Sequence, residues 1–283
     1  MKKYIAWCCD YRKDTGEGLL ARKFVKKYFK NQKIKIFFPK KNFLLKNYLF
    51  PYFGIIILWF YYLTGKKTIY INYLPLWNFP IFIFCPPKTI FGPITGSIQI
   101  NKINSLKSII RLILFPIFYK ISLIILNLRC KKILFATNIL KKFLYQNILK
   151  KSLLNFILID FKVYKKKFRK KYDLIIYFRK HENKFFSHHF KLINDFINKN
   201  KKILVIGDVL KINGVNNYGR VKRTNLINLI KQSRFSLSGD DNVLSLFNLE
   251  CLKHNVKVIY NKKLNFQIPN NLKTKFFSYN FDR

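Results

Sequence analysis

The chain has 283 residues, half of them hydrophobic, which is enough for two modest domains with real cores. Lys and Arg number 55 against 12 Asp and Glu, a formal charge of +43 that points to anionic company: nucleic acid, an anionic lipid surface or a phosphorylated ligand. Part of that charge is compositional, because Lys, Asn, Ile, Phe and Tyr are enriched together, as AT-rich codons dictate. The 5 cysteines, an odd number without paired CxxC spacing, argue against a disulfide framework and a zinc site and fit a reducing cytosol.

In chain order, residues 4–9 read as a short buried strand and 10–18 as a polar, glycine-bearing loop. Leu20, Phe24 and Tyr28 make one stripe of a helix over 19–29, and 34–38 is a second strand. Residues 47–64 carry no charge over about the span of a bilayer, but Pro51 and Gly54 interrupt them. A buried helix, or one lying in the membrane interface, is expected there rather than a span. Strands at 68–72 and 81–84 follow, then a helix over 104–128 kinked at Pro116, a strand at 132–137 and a helix at 139–149. The basic run 161–172 reads as a linker. Beyond it come a strand at 173–178, a helix at 189–198, a strand at 203–207, a short polar helix and a strand at 235–238. An amphipathic helix starting at Asn242 and a strand at 256–260 complete the second half. Strands alternating with helices on both sides of the linker predict an α/β chain of parallel βαβ units. The domains are expected at 1–160 and 173–283.

Four places carry candidate chemistry. Gly16-Glu17-Gly18, between the first strand and first helix, lets a ligand approach backbone amides at a helix N-terminus; an ordinary turn explains it equally well. Gly92-Pro93-Ile94-Thr95-Gly96-Ser97 is a loop able to aim amides into a site, or simply a rigid turn. Arg179 leaves the end of a buried strand, where ligands of open α/β sheets bind, and Lys184 lies five positions on. Asp241 and Asn242 sit at the expected N-cap of the helix bearing Glu250, a carboxylate among Leu246, Phe247, Leu249 and Leu252. Such a group is costly to bury without hydrogen-bond donors, from a ligand or from a nearby Lys. The dinucleotide fingerprint GxGxxG is absent, as are Ser-His-Asp and HExxH patterns. The four histidines have no ligand spacing, and His188-His189 read as a solvated helix start.

Arg179, Lys184, the Gly219-Arg220-Val221 loop and Glu250, in this order and spacing, resemble the donor-binding domain of GT-B-fold glycosyltransferases, particularly retaining family 4. Asn242 stands where that family's Glu-x7-Glu signature has its first Glu. More loosely, Gly16-Glu17-Gly18 and Gly92-Pro93-Ile94-Thr95-Gly96 are similar to loops of the acceptor domain. The resemblance implies two Rossmann-like domains facing across a cleft, in a compact version. It implies sugar transfer from a nucleotide-diphosphate sugar to a glycan or lipid-linked acceptor, with no bound metal or other cofactor. Arg179 and Lys184 would hold the diphosphate, Glu250 the ribose and Asn242 the transferred sugar, with Gly16, Gly18, Gly219 and Asp241 lining the ligand sites.

Net charge and the apolar 47–64 segment together suggest peripheral attachment to the cytoplasmic face of an anionic membrane. Two rival readings are a basic nucleic-acid-binding protein and an integral membrane protein spanning at 47–64. A nucleic-acid face wants Lys/Arg interleaved with aromatics, whereas most aromatics here lie in apolar runs. No specific nucleic-acid partner is expected.

Overall fold

The computed structural model describes residues 3–39, 46–72, 74–96, 106–164, 166, 168–180, 189–239 and 242–279. Lys184 and Asp241, both candidate site residues, lie outside them, as does Ser97. Two units divide the chain, one of Met1–Ile98 with Ile103–Ile159, the other of Asp160–Arg283 with Gln99–Lys102.

In the first unit β1 (Tyr4–Trp7), β2 (Ile34–Phe37), β3 (Lys67–Tyr70) and β4 (Ile90–Phe91) form a parallel sheet in the order β2-β1-β3-β4. An isolated bridge from Ile94 to Phe135 carries parallel pairing on to β5 (Ile133–Leu134) and β6 (Ser152–Leu153). The helices are α1 (Gly16–Tyr28), α2 (Lys46–Leu63), α3 (Phe79–Phe84), α4 (Leu106–Arg129) and α5 (Gln146–Lys151). Ile5, Trp7, Leu58, Tyr70, Phe82, Leu123 and Phe135 meet in one core. Gly54 lets α2 lie directly on the sheet, because a Cβ there would stand 2.2 Å from the Trp7 ring. The glycine that interrupts the apolar segment is therefore a packing device.

Residues 81–84, expected as a strand, belong to the helix α3, Phe79–Phe84. Pro80 stands in its first turn, where a missing N–H costs nothing, and only Ile81 and Phe82 are buried, a one-sided pattern that a short apolar run conceals. The helix expected at 139–149 is split into a 3-10 turn, Ile139–Phe143, and α5.

The second unit contains β7 (Tyr172–Phe178), α6 (Phe190–Asn198), β8 (Ile203–Gly207), β9 (Val215–Asn217), α7 (Arg223–Lys231), β10 (Ser233–Leu237), α8 (Leu246–Lys253), β11 (Lys257–Asn261) and β12 (Phe276–Tyr279). These strands form a six-stranded parallel sheet in the order β12-β11-β10-β7-β8-β9. Parallel strands covered on both faces need apolar side chains in both directions. Accordingly Leu174 and Ile176 of β7 join a core with Leu192 and Ile193 of α6, while Ile175 faces Ile230 of α7 and Cys251 of α8. His189, expected at a solvated helix start, is fully buried just before α6.

Candidate functional site

The sheet of the second unit is doubly wound. From β7 the chain moves outward through β8 and β9, then returns to the other side of β7 for β10, β11 and β12. The strand order reverses between β7 and β10, and ligands of open α/β sheets bind beyond the strand C-termini at such a reversal. Leu237 of β10 pairs with Ile176 of β7. Continuing that register, Gly239 leaves β10 beside the end of β7, where Arg179 emerges exposed.

The neighbouring end, between β7 and β8, is held by a set of short contacts. Gly207, with φ +101, ends β8, and a Cβ there would lie 2.2 Å from the Phe178 carbonyl oxygen. That same carbonyl accepts the Asp208 amide at 2.9 Å. The Asp208 carboxylate in turn accepts the Lys180 amide at 2.9 Å and the Arg220 guanidinium at 3.1 Å. The Lys180 amide first, then Arg220, hold the Asp208 carboxyl below its ordinary range. Gly219, with φ +66, directs its carbonyl onto the Gly207 amide at 2.9 Å, so the loop carrying Arg220 is fastened to the end of β8. Nothing lies within 4 Å of a Cβ built at Gly219, so its backbone conformation, not space, demands glycine.

Glu250 sits on α8 with its side chain largely covered, and its charge is met within the protein. Oε1 accepts the Arg223 guanidinium at 2.8 Å and the Lys253 ammonium at 3.0 Å. This pins the first residue of α7 to α8. Lys253 was legible as the nearby cation three residues on; Arg223 was not, because the sequence does not reveal that α7 and α8 share a face of the sheet.

Asn242 does not cap α8. The N-cap is Ser245, whose hydroxyl accepts the Asn248 amide at 3.2 Å, and α8 begins at Leu246. Asn242 instead closes a turn of its own, Oδ1 accepting the Leu244 amide at 2.9 Å, the local competition that makes Asn favour turns. The loop between is fixed by two buried side chains: Gln267 accepts the Val243 amide at 2.9 Å, and Asn248 donates to the Val243 carbonyl at 2.8 Å. Neither residue carried a signal in the sequence.

At the corresponding end of β1 in the first unit, Gly16 is the first residue of α1 behind the N-cap Thr15. Gly18 has no room for a side chain, because its Cβ would fall 2.1 Å from the Arg12 carbonyl oxygen. The chain's own loop, rather than a ligand, approaches this glycine. That loop is tied down by Arg12 on Asp10 at 2.8 Å, and by the Asn72 amide nitrogen donating to the Asp10 and Glu17 carbonyls at 2.8 and 3.0 Å. Burial favours the neutral form of Asp10, but hydrogen bonds from Arg12 outweigh it and keep the carboxyl low.

Glu17 contrasts with Asp10. Its Oε2 is sealed from solvent without a hydrogen-bond partner. Burial, and then the Asp10 charge, push Glu17 up to about 7. An acid raised in the folded state holds a proton that the unfolded chain has released, so stability falls as pH rises between the ordinary value of 4.5 and about 7, and levels off above. The loss is on the order of 3 kcal/mol. Glu17→Gln is expected to flatten this slope, read as the difference between variant and wild-type urea midpoints at pH 5 and pH 8. Equal slopes in both proteins would show that Glu17 titrates normally.

Among the described residues no group of three His, Cys, Asp or Glu is placed to hold a metal ion.

No protein-family model matches the sequence, and no curated protein matches it. The structure of sucrose-phosphate synthase (tll1590) from Thermosynechococcus elongatus does match, with TM-score 0.66 and 9% identity, over 100% of this chain and 87% of that one. The chain has the GT-B fold. At that identity the likeness speaks for architecture, the two Rossmann-like domains already built above from their strands. Looser matches are TarM, with TM-score 0.48 and 12% identity over 78% of this chain and 48% of that one, and the E. coli heptosyltransferase WaaC with ADP, at 0.38 and 8% over 91% and 86%.

Proposed function

We propose that this chain is a glycosyltransferase, moving a sugar from a nucleotide-diphosphate sugar to a glycan or lipid-linked acceptor, with the donor held by the second unit. One observation carries the reading: the strand order reverses between β7 and β10, and Arg179 leaves the sheet at that reversal. When a glycosidic bond to a nucleotide diphosphate breaks, negative charge gathers on the leaving phosphates. A guanidinium fixed by a strand end meets that charge where it develops, without reorganising. Lys184, five positions on, would add a second cation, as family 4 implies. Asn242 would meet the transferred sugar, and retention of configuration follows from the same family likeness. The experiment is calorimetric titration of the full chain with a panel of nucleoside diphosphates and their sugars, each beside its monophosphate. One nucleoside diphosphate is expected to bind clearly more tightly than its monophosphate. A panel without a binder defeats the reading.

Glu250 takes a more definite role than the sequence allowed. Oε1 is held by Arg223 and Lys253, which orients the carboxylate and leaves Oε2 to accept donor ribose hydroxyls. Both cations are about one-third exposed, so solvent screens the pairs and each contributes about 0–1 kcal/mol. Glu250→Gln is accordingly expected to shift thermal stability little and to weaken donor binding or turnover several-fold. Wild-type donor affinity and turnover in the folded variant would confine Glu250 to pinning α7 on α8.

A further inference from the structure

We infer that the first unit docks onto an anionic lipid bilayer as a monotopic anchor, through the converging C-terminal ends of α2, α3 and α4. The inference stands apart from the sugar-transfer reading. Each helix ends in large apolar side chains left in solvent: Leu63 on α2 at 77% exposure, Phe84 on α3 at 58%, and Leu128 on α4 at 80%. Phe60, Ile83 and Ile124 are exposed just behind them. The three ends lie together, because the Trp59 indole donates to the Phe84 carbonyl at 2.7 Å and Arg129 reaches across from α4 to α3.

Arg129 also answers the objection that helix ends are too polar for lipid. The last carbonyls of a helix lack intrahelical partners and are costly to take into hydrocarbon. Here the guanidinium of Arg129 covers the carbonyls of Phe82, Ile83, Cys85 and Pro86, the last two at 2.6 Å. The carbonyls at the end of α3 are satisfied from within the protein, and so is the indole N–H of Trp59. An apolar tip with its polar groups already paired suits the acyl boundary better than water.

Charge selects the occupant. No Asp or Glu occurs anywhere between Glu17 and Asp160. Lysines follow each tip directly: Lys66 and Lys67 after α2, Lys88 after α3, Lys131 and Lys132 after α4. Apolar tips with a wholly cationic collar complement anionic headgroups over an acyl interior, whereas a second copy of the same surface would bring like charges together.

The same helices do not cross the bilayer. Leu112–Arg129 is long and apolar enough by composition. Yet Leu123 and Leu126 on α4 and Leu58 on α2 are fully buried in the core, and Ser122 donates to the Leu76 carbonyl at 2.5 Å. Threading either helix through a membrane would strip the sheet of that packing. Shallow insertion uses only the faces the core leaves open.

The test is co-sedimentation of the full chain with vesicles of phosphatidylcholine alone or mixed with phosphatidylglycerol. Binding is expected to the anionic vesicles, to weaken as salt rises, and to be released by alkaline carbonate. A triple variant, Leu63→Ser, Phe84→Ser and Leu128→Ser, touches only exposed side chains, and its melting curve reports whether the fold is kept. It is expected to bind about 10-fold more weakly or worse. In the wild type, brominated lipid is expected to quench tryptophan emission, and Trp59→Phe to remove most of that quenching. Three results overturn the inference: unchanged binding by the folded triple variant, carbonate-resistant membrane association, or a dimer that the same serines dissociate and that ignores vesicles.

Discussion

Gly207→Ala is expected to destabilise the second unit by about 3–5 kcal/mol and to abolish nucleotide diphosphate binding with it. Two independent costs add at this residue. Its φ of +101 lies in a region that a side chain with a Cβ adopts only under strain, worth about 1–3 kcal/mol. The added Cβ would also stand 2.2 Å from the Phe178 carbonyl oxygen, backbone that a rotamer change cannot move aside. Relieving that overlap means separating the ends of β7 and β8, which breaks the bond from the Asp208 amide to the same carbonyl and unseats Asp208 from the Lys180 amide. Gly219→Ala is the control. Its φ of +66 is unfavourable too, but nothing lies within 4 Å of its Cβ, so about 1 kcal/mol is expected there. Urea unfolding measures both. A Gly207→Ala protein no less stable than Gly219→Ala would mean that the two strand ends move apart freely and do not hold a site.

The difference between these glycines shows what the sequence displays and what it hides. Strands in the second unit were legible because a doubly covered parallel strand must be apolar throughout, and residues 173–178 and 203–207 are short, largely apolar runs bounded by polar segments. Arg179 was legible as a cation following directly on such a strand. Gly219 and Gly18 attracted attention as loop glycines, but their reasons differ, one conformational and one a collision with Arg12, and neither is written in the local sequence. The segment 81–84 was misread because so short an apolar run carries no period, and the burial of only Ile81 and Phe82 is decided by what packs above them. Asn242 was misassigned for a different reason. Asn and Ser are both good caps, and three residues separate Asn242 from Ser245; which one starts the helix depends on Gln267 and Asn248 anchoring the loop at Val243, contacts spanning up to 24 residues. Half of the Glu250 pairing was hidden because Arg223 lies 27 residues away on another helix.

Arg179→Ala is expected to weaken nucleoside diphosphate binding by about 1.5–3 kcal/mol, roughly 10- to 150-fold in Kd. The side chain is exposed, follows β7 without an intervening loop, and stands at the point where the sheet reverses. Its root is rigid, since Phe178 is paired with Gly207 across the sheet and the Lys180 amide is bound to Asp208. Truncation should therefore leave the fold intact, with a melting temperature close to wild type, and remove charge only. Three readouts separate a phosphate contact from a general loss of positive field in a chain of charge +43. Affinity for the matching nucleoside monophosphate should fall much less than for the diphosphate, because a specific contact is lost with the second phosphate. Arg179→Lys should recover only part of the affinity, since an ammonium supplies charge without the bidentate fork. Finally, turnover at saturating donor should fall as well as affinity, because the charge that Arg179 meets grows as the sugar leaves. Equal losses for monophosphate and diphosphate would reduce Arg179 to one cation among many. Unchanged diphosphate affinity in a folded Arg179→Ala protein would move the donor site away from the end of β7.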